Sequence, residues 1–124
     1  MIYENVVSLL LLKVPEFRAA YEELTSWAGK DVGQHVVFGA LFEFTVGQGR
    51  IVTSHDDTGA EAEGVVSKVL RFIEEAAASN DEHVRNLIQV SFMEHLQPTV
   101  SVHEYIRERL GPQSSKLLKA AESW

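Results

Sequence analysis

Apolar residues recur at steps of three and four along most of the chain. From Pro15 onward Phe17, Ala20, Tyr21, Leu24 and Ala28 keep that spacing, with Glu16, Arg18, Glu22 and Glu23 between them. This is the pattern of an amphipathic helix that buries one face. Pro15 suits its first turn, where the missing N–H would have had no partner anyway. Later helix starts are marked by a short oxygen-bearing side chain followed three residues on by Glu or Gln: Asp31/Gln34, Thr58/Glu61, Ser79/Glu82 and Ser101/Glu104. Each such pair can satisfy two backbone N–H groups that the helix leaves open. Stops are expected at Gly29, at Gln97-Pro98 and at Gly111-Pro112, because proline cannot continue a helix.

The pattern predicts an all-α fold, a bundle of about seven short helices forming a single domain over residues 1–124. Its predicted core includes Leu10, Phe17, Tyr21, Leu24, Phe38, Leu41, Leu70, Ile73, Val84, Ile88, Phe92, Leu96, Ile106 and Leu118. One segment reads two ways. The preferred reading is an apolar helix from Gln34 to about Val46 and then a polar loop to Thr58. The alternative is a small hairpin near 44–53, with "FTVGQGRIVTS" forming two short strands around Gly47-Gln48-Gly49.

Composition narrows the functional classes. At 124 residues and 45% hydrophobic content the chain is the size of one domain with a single core. The apolar run Val6 to Leu12 is far short of the roughly 20 residues that span a bilayer. Glu4 also stands where a secretory leader would carry positive charge, so the run reads as a core helix and no membrane role is expected. With 18 acidic against 11 basic residues the formal charge is -7, which argues against a groove tracking nucleic-acid phosphates and favours a basic partner. The absence of cysteine excludes disulfides, thiolate metal sites and cysteine nucleophiles. It also fits a cytoplasmic location.

The stretch Ser79 to Leu96, "SNDEHVRNLIQVSFMEHL", holds the densest candidate chemistry. At 100° per residue Val84, Leu87, Ile88, Ser91, Phe92 and His95 share one face, while Glu82, Arg85, Gln89 and Met93 fall outside it. His95 is therefore expected in the core, one turn from Ser91 and within its hydrogen-bond reach. A nucleophile and base are conceivable there. The simpler reading is a small serine that allows close packing beside an internally satisfied imidazole, because the G-x-S-x-G elbow is missing. None of His35, His55, His83, His95 or His103 has a ligand partner three or four residues away on its own helix, as a helical metal chelate needs. Gly47-Gln48-Gly49 lacks the third glycine and the Lys-Ser/Thr of phosphate loops. No catalytic residue, metal ligand or cofactor is assigned.

In "SHDDTGAEAE" the carboxylates Asp56, Asp57, Glu61 and Glu63 fall within eight positions free of lysine and arginine. A local negative field of this kind steers a cationic partner, so these four are the expected partner-binding residues. The plain alternative is a solvated run that keeps an acidic protein in solution. Two other functional classes stay open. One is a metal-dependent or small-molecule enzyme drawing His35, His83, His95 and Glu94 from different helices. The other is a regulatory interaction module anchored on Trp27 and Trp124, since tryptophan is enriched in binding hot spots.

Three blocks, "HVVFG" at 35–39, "LRFIEEAAASNDEHVRNLIQVSFMEHL" at 70–96 and "LGPQSSKLL" at 110–118, resemble a family of small all-α bacterial proteins classed as a domain of unknown function. The resemblance extends from "KVPEF" at 13–17 over most of the chain and is weakest from Val46 to Thr58. It rests on core positions and carries over no catalytic residue. By analogy with small acidic proteins of this kind, it implies a cytoplasmic immunity protein that neutralises a cognate basic toxin.

Overall fold

Seven α-helices account for most of residues 1–54 and 59–123, the part of the chain described in the computed structural model. They are α1 (Val6–Lys13), α2 (Arg18–Ala28), α3 (Gln34–Thr53), α4 (Gly59–Ala77), α5 (Glu82–Ser91), α6 (Ser101–Arg107) and α7 (Pro112–Glu122). Short 3-10 turns occur at Tyr3–Asn5, Pro15–Phe17 and Met93–His95. No strand occurs among the described residues, and no helix there is long and apolar enough to cross a membrane.

The centre of the bundle is α3, which packs against α1, α2, α4, α5 and α6. Its buried positions Val37, Phe38, Leu41, Phe42, Thr45, Val46 and Gly49 continue the three-and-four spacing beyond Val46. The hairpin near 44–53 therefore does not form, and the helix extends seven residues past its expected end. Thr45 donates its hydroxyl to the Leu41 carbonyl at 2.7 Å, satisfying the only buried hydroxyl on that face. Gly49 has a packing role rather than a turn role. A Cβ there would lie 2.9 Å from Val102 Cγ2, so the missing side chain is what lets α6 approach α3.

Helix ends fall close to their expected places, with shifted caps. Gly29 closes α2 at φ 91°, a left-handed conformation that glycine adopts freely. Gly111-Pro112 opens α7. Gly33 and Val100, rather than Asp31 and Ser101, precede α3 and α6, and neither makes a side-chain cap. Asp81 rather than Ser79 caps α5, accepting the His83 N–H at 2.9 Å. Ser79 instead accepts the Asp81 N–H at 3.1 Å and donates to the Met1 carbonyl at 2.7 Å. The other Asp81 oxygen accepts the Tyr3 N–H at 2.9 Å, so one turn both starts α5 and fastens the N-terminal segment. The expected start at Thr58 lies outside the described residues.

Every expected core residue is buried except Tyr21, which is half-buried against the core's edge. The larger departure is in the fifth helix. It stops at Ser91 instead of Gln97, because Phe92 leaves helical geometry at φ -126°, ψ -62° and a 3-10 turn follows. That break rotates everything after it: Met93 enters the core at 1% exposure while His95 turns out to solvent.

Candidate functional site

The first turns of α4 carry Glu61 and Glu63, both exposed. Asp56 and Asp57 lie outside the described residues. Two positions apart on a helix is about 200°, so the two glutamates look toward different sides of α4. Glu61 stands at the rim of a cleft of about 330 Å³ whose other lining residues are Glu16, Phe44, Gln48, Ile51, Ala62 and Val65. Glu16, on the opposite rim, is engaged by Lys68, and the ammonium's hydrogen bond holds that carboxyl below its ordinary 4.5. Glu63 faces α6. Burial pushes the Tyr105 hydroxyl up and the Glu63 carboxylate adds to that shift, against the pull of Arg109. The acidic run is thus divided by the helix it opens.

Ser91 and His95 do not meet. The Ser91 hydroxyl, 4% exposed, lies 2.8 Å from Nδ1 of His35 on α3, an exposed imidazole. This bond ties the start of α3 to the end of α5. The expected partner was a residue four positions on, but the break at Phe92 carries His95 away from that stripe. Neither Ser91 nor His35 borders the clefts lined by Glu61, by Arg71 or by Lys13.

The described histidines separate into three places. His35 is at Ser91, and His83 lies edge-on to Tyr3 with centroids 6.1 Å apart. His95 and His103 both lie against Phe42 at 5.4 Å. No group of three histidine or carboxylate side chains is placed to hold a metal ion among the described residues. Trp27, the candidate interaction anchor, is 74% exposed on α2. Trp124 lies outside the described residues.

His103 is the histidine that periodicity did not single out. It is buried on α6, and its Nδ1 accepts the Gln97 N–H at 3.0 Å. An accepting Nδ1 has no proton, so the ring is neutral and protonated at Nε2. Burial, reinforced by the Arg50 charge and opposed by Glu43, pushes His103 below its ordinary 6.5. A folded-state value below the unfolded one means that its contribution to stability is complete above about pH 6.5 and is lost as pH falls through the folded value. The melting temperature should decline on acidification across that window. His103→Asn keeps an oxygen acceptor near the Nδ1 position and should remove most of this decline; an unchanged pH profile in the variant would refute the assignment.

A second element missed by local spacing is Glu74 on α4. Its carboxylate accepts the N–H groups of Gln113 and Ser114, each at 2.9 Å, and the Ser114 hydroxyl at 2.7 Å. Burial alone would raise its pKa, but these donors outweigh that and hold the carboxyl below its ordinary 4.5. The cap of α7 thus comes from a residue 39 positions earlier in the chain, which no N-terminal motif could reveal.

The family model described as a domain of unknown function (DUF7674) matches residues 7–124. No curated protein and no solved structure gives a significant match. A match over nearly the whole chain places this chain in the DUF7674 family.

Proposed function

We propose that this chain is a non-catalytic binding protein that captures a cationic protein, most concretely a cytoplasmic immunity protein that neutralises a basic bacterial toxin. The observation that supports this reading is the cleft between α3 and α4 with Glu61 at its rim. Its floor of Phe44, Ile51 and Val65 is apolar and its edges are carboxylates. A lysine or arginine from a partner fits such a site, because its aliphatic stem lies along apolar surface while its charged head meets an acid. Glu16 already holds Lys68, so Glu61 is the rim carboxylate that a partner's cation meets. Asp56 and Asp57 precede α4 directly and add to the negative field that steers encounter.

Affinity capture from the native host tests this proposal, with the wild-type chain and a variant carrying Asp56→Asn, Asp57→Asn, Glu61→Gln and Glu63→Gln as parallel baits. The expected result is a basic protein retained by the wild type and depleted from the variant. A strongly acidic partner, or equal retention by both baits, would reject the proposal.

A further inference from the structure

A cleft of about 390 Å³ lies between α4 and the turn that joins α6 to α7. It is lined by Ser67, Leu70, Arg71, Glu74, Arg109 and Gly111. Two guanidinium groups border one concavity in a chain of net charge -7. Its volume lies within the roughly 300–1,000 Å³ usual for small-molecule sites.

The Glu74 carboxylate in the cleft keeps its charge, but its oxygens are occupied. Both Glu74 oxygens are taken by the first turn of α7 through three hydrogen bonds. Its carboxylate therefore faces the N–H groups of that helix instead of pairing with arginine. Gly111 keeps this arrangement compact, since a Cβ there would come within 2.5 Å of the Glu74 carboxyl.

The arginines are differently prepared. Arg109 is held in place: its Nη1 donates to the Tyr105 carbonyl at 2.8 Å, and its guanidinium lies 3.7 Å from the centre of the Tyr105 ring. The nearby Glu108 is a loose surface contact at 3.8 Å, of the kind worth little in water. Arg71 is exposed on α4 and makes no ion pair among the described residues. One oriented guanidinium, one guanidinium without an ion pair among the described residues, and Ser67 line this cleft together with Leu70.

We propose that this cleft binds a small phosphate-bearing molecule, with Arg71, Arg109 and Ser67 on the phosphate and Leu70 against its organic body. Two planar forks and a hydroxyl offer more donors than the two oxygens of a carboxylate accept, whereas a phosphate presents three oxygens to them. The chain's overall negative charge does not prevent this at physiological salt, where fields are screened over about 8 Å and the adjacent arginines decide.

The test is a titration of the full ¹⁵N-labelled chain, in phosphate-free buffer at 0.15 M ionic strength, with inorganic phosphate, phenyl phosphate and benzoate as probes. Saturable shifts confined to residues 67–74 and 109–111 are expected, with phenyl phosphate tighter than inorganic phosphate because it also covers Leu70. Arg71→Gln should weaken phenyl phosphate at least tenfold without changing the melting temperature, while Arg18→Gln on α2 should leave it unchanged. Shifts that never saturate, or an Arg71→Gln affinity within twofold of wild type, would overturn the site. Benzoate binding as tightly as phenyl phosphate would overturn the choice of phosphate.

Discussion

Phe92→Ala should destabilise the protein by about 3–5 kcal/mol, the range for emptying a buried aromatic site. Domains of this size have only about 5–15 kcal/mol of stability in total, so the variant should be close to unfolding. Phe92 is fully buried, and its ring meets Phe42 edge-on at 5.3 Å. Phe42 in turn supports His95 and His103. The lost ring therefore leaves a cavity next to the point where the fifth helix breaks, and loosens the support of both imidazoles. Urea unfolding should show a lower midpoint with an unchanged slope. Trp27→Ala, which removes an exposed ring, should change stability by less than about 0.5 kcal/mol. A Phe92→Ala effect no larger than that would show that the core is misplaced.

Glu74→Ala should lower stability by about 1.5–3 kcal/mol, the scale of hydrogen bonds to a charged group. The carboxylate serves three donors at the start of α7, and its removal leaves that helix without a side-chain cap. Gly111→Ala attacks the same clamp from the other side, because its Cβ would come within 2.5 Å of the Glu74 carboxyl. The two changes remove one interaction, so the double variant should lose less than the sum of the single losses. The Glu74 carboxyl sits below its ordinary value, so its stabilisation is complete above about pH 4.5 and is lost as pH falls through the folded value. The deficit of Glu74→Ala against wild type should accordingly shrink in acid. A deficit that persists unchanged at low pH would mean that the clamp is not ionic.

Wherever burial follows a continuous helical period, the sequence revealed the structure. Leu10, Phe38, Ile73, Val84 and Ile106 could be assigned to the core because neighbours three and four residues away agree with them. The fifth helix shows the limit of that logic. The 100° projection placed Val84, Leu87, Ile88 and Ser91 correctly, but it assumed that the helix continued. The non-helical backbone at Phe92 sends His95 outward and Met93 inward, and no turn residue marks the break. The glycines at 47 and 49 misled in the other direction. They suggested a turn, whereas Gly49 is a contact point for Val102 that only the folded bundle reveals. The Ser91–His35 bond, the His103–Gln97 bond and the Glu74 clamp join different elements or depend on tertiary burial, and local spacing carries no information about them. The acidic run was legible as composition. Its division between the two sides of α4 follows from helix geometry once the helix start is fixed at Gly59.

The measurement that tests the binding account most directly is the association rate of the captured partner with the wild-type chain and with the variant lacking the charges of Asp56, Asp57, Glu61 and Glu63, each at 50 and 300 mM salt. Exposed charges act mainly on encounter, through a field that salt screens over about 10 Å or less above 0.1 M. The wild-type rate should fall several-fold with salt, and the variant should be slower at low salt and nearly insensitive to salt, with dissociation rates less affected. Equal association rates for the two chains at both salt concentrations would contradict the binding account.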